Sequence, residues 1–240
     1  MFLRKPDNQY LYLFQHVPKC AGTTVINHVE DELRHKSLNL EKKYQYKNEV
    51  WGGLVRQNIK YDSLLSVHGH RVFYGLHNIS EREYRYYTFL RHPVDRVISL
   101  YNFWASCENR KNIMFRDGNL ISFREFIKTE YASNSILRFL YHAMEGELTP
   151  GSQIETCSEH HLNVAKKFLD KCWFVGFVES FEEDFQFVCS NMGINYQRNR
   201  KRASGKYFQI SQDPAIKELV LEANKFDMRL FEYAKQLREG

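Results

Sequence analysis

Twice in this chain a short aromatic, β-prone run breaks into a turn and then into a helix with one apolar face, and this repeated order is what most restricts the fold. The first run is 10–16 (YLYLFQH), with a turn over 17–22 and a helix from Thr23 on which Val25, Ile26, Val29 and Leu33 recur at helical spacing. The second is 84–90 (YRYYTFL), followed by Arg91, His92 and Pro93, and proline suits a first helical position because its missing N–H would have no partner there. Val94, Val97, Ile98 and Tyr101 then form the apolar stripe. Arg96 and Ser99, three apart, fall on another face, which the spacing predicts to be free to meet a ligand.

The remainder continues the alternation. Helical patterns cover 123–129, 135–143, 160–169 and 181–191, and 173–178 (WFVGFV) reads as a buried strand. Asp213 and Pro214 start one long final helix with Ile216, Leu219, Val220, Ala223, Leu230, Phe231 and Ala234 along its apolar side. Strands alternating with helices predict an α/β fold, a central parallel β-sheet flanked by helices on both faces. Ligands bind such sheets at the carboxyl ends of the strands, where both junctions would lie. No repeat, low-complexity tract or Gly/Ser linker divides the chain, so 1–240 is expected to be a single domain.

The junctions raise the question of an anionic ligand, and charge bears on it. Lys plus Arg number 34 against 29 Asp plus Glu, a net charge of +5. That excess is too small to indicate nucleic acid and agrees with an anionic cofactor or a polyanionic acceptor. Five cysteines (Cys20, Cys107, Cys157, Cys172 and Cys189), with no C-x-x-C spacing, indicate neither a zinc site nor a disulfide framework. They fit a reducing cytoplasm, with a bridge such as Cys157 to Cys172 left open. Neither a membrane helix nor a signal core is legible.

Lys19, Cys20, Ala21, Gly22, Thr23 and Thr24, between a strand and a helix start, have the chemistry of a phosphate site. Unpaired N–H groups and the helix dipole stabilise an anion there, glycine lets backbone approach, and hydroxyls donate further hydrogen bonds. The ATP signature, G-x-x-x-x-G-K followed by Ser or Thr, is absent because here the lysine precedes the glycine. The same residues also suit a plain strand-to-helix turn with a surface lysine, and alone they do not separate the two.

Taken together, 16–24 (HVPKCAGTT) and 89–104 (FLRHPVDRVISLYNFW) resemble the two segments that bind 3′-phosphoadenosine-5′-phosphosulfate (PAPS) in the membrane-type sulfotransferases, particularly the heparan and chondroitin sulfate group. A third segment, 66–73 (SVHGHRVF), resembles the His-Gly-His segment of the uronosyl 2-O-sulfotransferases. The C-terminal stretches 174–185 and 223–234 are similar to that family as well. The resemblance implies a P-loop-like nucleotide-binding sulfotransferase fold, PAPS as donor, no metal, and a hydroxyl acceptor, a carbohydrate. It makes Lys19 to Thr24 the 5′-phosphosulfate loop and Arg91 and Ser99 the grip on the 3′-phosphate. It makes His70 the base, with His68 in a supporting or acceptor-binding role.

The residue chemistry agrees with those assignments. Sulfuryl transfer, like phosphoryl transfer, needs in-line positioning and charge stabilisation, which a lysine can provide at the leaving phosphate. Arginine offers a planar fork to a phosphate, and Ser99 adds a hydroxyl. Taken alone, Arg91 also suits a structural ion pair and Ser99 a solvated helix position. On a strand, residues two apart point the same way, so His68 and His70 are expected to face one cleft. His16 and His92 adjoin the motifs and are expected to be structural. The basic run 198–206 (RNRKRASGK) includes Arg202, Ser204 and Lys206 as candidates for cofactor or acceptor contacts, and Asn134 and Ser135 are further candidates. Trp51, Tyr74, Trp104 and Tyr141 could stack on an acceptor ring.

Golgi members of the family carry an N-terminal anchor and stem, neither of which is legible here. The expectation is therefore a soluble cytoplasmic relative, with a trimmed catalytic domain from the Golgi lumen as the alternative. Two rival functions compete. A P-loop kinase would share the sheet and the anion loop but lacks its lysine signature and an evident acidic partner for magnesium. A polyanion-binding module built on 198–206 would leave the histidine pair without a task.

Overall fold

Leu11, Tyr12, Leu13 and Phe14 are all buried, without the in-out alternation of a half-exposed strand, because β1 (Tyr10–Gln15) becomes the middle of a sheet covered on both sides. The structure is a computed structural model that describes residues 9–40, 61–107, 114–146, 154, 156–197, 209 and 215–240. After β1 come α1 (Gly22–Leu33), β2 (Ser37–Asn39), β3 (Ser66–Gly69), β4 (Glu83–Leu90) and α2 (Pro93–Ala105). A small hairpin, β5 (Phe115–Arg116) with β6 (Asn119–Leu120), leads to α3 (Phe123–Ile127) and α4 (Ser135–Glu145). Then follow α5 (Glu159–Lys171), β7 (Cys172–Phe177), α6 (Phe181–Met192), α7 (Ala215–Ala223) and α8 (Lys225–Glu239). Among the described residues five strands pair in the order β2-β3-β1-β4-β7, all parallel, which is the α/β architecture expected. β2 and the hairpin, three residues and two residues per strand, are too short to leave a periodic signal.

One expectation is corrected. The final helix is not continuous but breaks at Asn224, which is fully buried. Its Nδ2 donates to the Val220 carbonyl at 2.9 Å, closing α7, and its Oδ1 accepts from the Asn134 N–H at 2.9 Å. Asn134 answers by accepting from the Phe226 and Asp227 N–H groups at 3.0 and 3.2 Å, the first turn of α8. Asp227 accepts from Ile136 and Leu137 N–H at 3.0 and 2.8 Å, the first turn of α4. Two helix starts thus satisfy each other's orphan donors. The partners lie about ninety residues apart, with a sequence separation of 90 between Asn134 and Asn224, so local periodicity runs straight through the break.

No bridge joins the cysteines: all five are free thiols, and Cys172 donates to the Phe168 carbonyl at 3.4 Å. Among the described residues no helix is long and apolar enough to cross a membrane.

Candidate anion site and histidine pair

The sheet register brings three strand ends level. Gln15, the last residue of β1, pairs with Gly69 of β3 on one side and Thr88 of β4 on the other. Hydrogen bonds continue past the strands: the His16 N–H donates to the Gly69 carbonyl at 3.1 Å, Gln15 Nε2 to the His70 carbonyl at 3.2 Å, and Thr88 Oγ1 to the Gln15 carbonyl at 2.8 Å. Loop 17–21, His70 and Arg91 therefore emerge together at the carboxyl edge of the sheet.

The loop is held in an uncommon conformation. Lys19 (φ 68°) and Ala21 (φ 62°) are both left-handed without being glycine, at a cost of about 1–2 kcal/mol each. Such strain persists where packing over-determines it, and it gathers at binding sites. Thr24 and Val25 N–H both donate to the Ala21 carbonyl, at 3.0 and 3.3 Å, so α1 starts directly behind the loop with its first N–H groups unused by the helix. The Cys20 residue faces inward. Its side chain is buried in the core, burial pushes its thiol up to about 12, and its N–H donates to the Val17 carbonyl at 3.3 Å. Thr23 is exposed, and Thr24 half-buried.

Gly22 has a steric reason to be glycine. A Cβ there would lie 1.8 Å from His16 Cδ2, and the His16 ring is itself stacked on His70, centroids 4.0 Å apart, with Phe14 at 5.9 Å beyond. Overpacking of this kind costs about 1–3 kcal/mol. Gly22→Ala is accordingly expected to lower stability by about that amount in denaturant melts and to displace the His16–His70 stack. An unchanged melt would show that the ring has room to move.

Lys19 is half-buried, and its ammonium lies over the Phe103 ring of α2, 4.1 Å from the centroid. Burial lowers its proton affinity, and the neighbouring Arg91 guanidinium lowers it further. Two cations have been brought to one place, an arrangement that a bound anion would relieve. Ser99 is half-buried on α2.

Arg96 does not share that open face. It is fully buried, donates to Ser135 Oγ, feels the favourable charge of Asp227, and leaves Nε without a hydrogen-bond partner among the described residues. This side of α2 packs against the starts of α4 and α8, where the broken helix supplies a buried carboxylate. Burial raises the Asp227 proton affinity and Arg96 opposes the rise. Asn134 and Ser135, candidates for contact with cofactor or acceptor, are buried in this same junction and their side chains are engaged there.

The two histidines also part company. His68 is fully buried, with Nε2 3.4 Å from Glu30 Oε1 and Nδ1 3.4 Å from Ser66 Oγ, and Asn39 Nδ2 donates to the same Glu30 oxygen at 2.8 Å. β3 ends at Gly69, whose φ of 140° breaks the alternation that would have aimed both rings into one cleft. His70, half-buried, instead crosses the end of β1 and places Nδ1 2.5 Å from the His16 carbonyl. A carbonyl only accepts, so Nδ1 carries the proton, and the lone pair of the neutral ring sits on Nε2. His16 is kept neutral: burial first, then the charges of His70, His68 and Lys19, hold it well below the usual histidine range.

The His92 N–H donates to Glu179 Oε1 at 2.8 Å, and its ring lies edge-on to Phe231. Of the aromatic candidates, Trp104 adjoins Phe103, whereas Tyr74 packs on Tyr86 and His77, and Tyr141 on His161. Arg202, Ser204, Lys206 and Trp51 lie outside the described residues. Sequence reasoning missed Glu30, the His16 carbonyl and Phe103. Only Phe103 had left a signal, since it follows Ser99 by four residues and so shares its helix face.

Among known proteins, the model of the sulfotransferase family matches residues 2–234. None of the curated proteins matches. The solved structure of mouse sulfotransferase SULT7A1 complexed with PAP aligns over 97% of this chain and 89% of that one, at 12% identity and a TM-score of 0.42.

Proposed function

Because this chain belongs to the sulfotransferase family, we propose that it acts as a single domain that transfers the sulfuryl group of PAPS to an acceptor hydroxyl, and that the acceptor is a carbohydrate. The observation that carries this reading is the left-handed loop that sets half-buried Lys19 at the start of α1, on the same carboxyl edge of the sheet where Arg91 leaves β4. The donor set fits a nucleotide with phosphates at both ends. PAPS supplies an activated sulfuryl group on a phosphate leaving group. Loop N–H groups and the Thr23 and Thr24 hydroxyls would hold its 5′ end, and the Arg91 fork with the Ser99 hydroxyl its 3′-phosphate. Lys19 would meet the charge that grows on the leaving phosphate oxygen. His70 would take the acceptor proton on Nε2, its ring oriented by the His16 carbonyl. His68, its ring held by Glu30 and Ser66, would have a supporting role. The carbohydrate reading is supported by the likeness of 66–73 to the uronosyl 2-O-sulfotransferases.

The decisive measurement is melting temperature with adenosine 3′,5′-bisphosphate against ATP plus magnesium. A ligand at a hundredfold its dissociation constant adds about 2.7 kcal/mol, so the bisphosphate is expected to raise the melting point and ATP plus magnesium to leave it unchanged. Stabilisation by ATP alone would favour a kinase. Labelled PAPS with a panel of glycan and phenolic acceptors then tests the acceptor class. In the same assay Arg91→Ala and Ser99→Ala are expected to weaken the bisphosphate while hardly changing a nucleotide without the 3′-phosphate, since only the 3′ contact is removed. Equal losses for both ligands would point to general misfolding.

A further inference from the structure

Phe103 is 41% exposed on α2, and a cation lies over its ring. What covers it is the Lys19 ammonium, 4.1 Å from its centroid. The contact is not a trivial consequence of sequence: Lys19 sits in a left-handed backbone conformation at the loop tip, and Phe103 projects from α2 more than eighty residues later. Phe103 also follows Ser99 by one helical turn, so it lies on the face of α2 assigned above to the nucleotide.

We propose that Phe103 is a positioning residue for Lys19, its ring holding the ammonium in place at the mouth of the anion site before the nucleotide enters. This rests on the reading of Lys19 as the group that stabilises the leaving phosphate. The physical need is clear from the surroundings. Burial acts against the Lys19 charge, and so do Arg91 from the β4–α2 turn and Arg96 from α2, while Cys20 in the loop stays a neutral thiol because burial pushes it up to about 12. The negative face of an aromatic ring attracts a cation without carrying a charge of its own, and unlike a carboxylate it does not compete with an incoming phosphosulfate. A lysine neutralised by a salt bridge would have to break that bridge at each turnover.

The test compares Phe103→Leu, which keeps apolar volume but loses the ring, with Phe103→Tyr, which keeps the ring, using kcat/KM for PAPS as a function of pH. That parameter reports groups in the free enzyme, where Lys19 rests on the ring. Phe103→Leu is expected to lower kcat/KM by roughly three- to tenfold, as loss of a cation–π contact of ordinary strength implies, and to move the alkaline limb to lower pH. Phe103→Tyr is expected to stay within about twofold of the parent with its limb in place. An unmoved alkaline limb in Phe103→Leu, or the same shift in Phe103→Tyr, would overturn the proposal while leaving the role of Lys19 standing. Lys19→Ala, measured alongside, separates the two: if it kept activity, the reading of Lys19 would fail first, and the positioning role with it.

Discussion

Lys19→Ala is expected to remove nearly all turnover and leave the fold intact. The side chain contributes little to packing: its ammonium lies on an exposed ring, and the core around loop 17–21 is built by Val17 and Cys20 instead. Its charge matters most when the phosphate oxygen becomes an anion, and deleting one such preorganised donor costs about 10²–10³ in rate. Because the interaction strengthens toward the transition state, kcat should fall more than the bisphosphate affinity. Single-turnover transfer from labelled PAPS, with bisphosphate titration and a thermal melt on the same preparation, measures all three. A rate within a fewfold of the parent would remove Lys19 from the chemistry.

His70→Ala should rank next, with a loss of about 10²-fold or more if a positioned base is deleted. Cofactor binding should largely survive, since Gln15 meets only the backbone carbonyl of residue 70 and Arg91 is untouched, although His16, which packs on Gly22, loses its stacking partner. Stability should be followed against pH alongside the rate, because His16 brings an acid effect of its own. Its folded-state affinity for protons is depressed, so as pH falls below the unfolded value of about 6.5 the unfolded chain takes up the proton first, and stability present above that pH is progressively lost. If His70→Ala kept its rate at a pH where its melting temperature matches the parent's, the base would lie elsewhere.

How much of this was legible beforehand depends on the range of the interactions. β1, α1, β4 and α2 were readable because each is announced locally, by an apolar run, a turn and a 3.6-residue stripe, and their ends fall within a residue or so of the expected places. Where the pattern alone ruled, it also misled. The apolar stripe from 216 to 234 predicts one helix, yet Asn224 finds Asn134 and the helix breaks. Arg96 shares the polar face of its helix with Ser99, yet Ser135 and Asp227 draw it inside.

The sequence by itself determined the parallel α/β plan and the chemical kind of the site: a lysine, small residues and hydroxyls at one helix start, an arginine and a serine at another. Those follow from backbone periodicity and side-chain chemistry, which act over a few residues. Only the tertiary structure decided that His70 rather than His68 reaches the sheet edge, and that its Nδ1 is bound, because a positive φ at Gly69 and a carbonyl from the neighbouring strand settle the direction and the tautomer. It likewise decided that Lys19 rests on Phe103 with Arg91 beside it. Attraction and repulsion between groups more than seventy residues apart depend on which strand lies next to which, and neighbouring order in a sheet is not written in any local stretch of the chain.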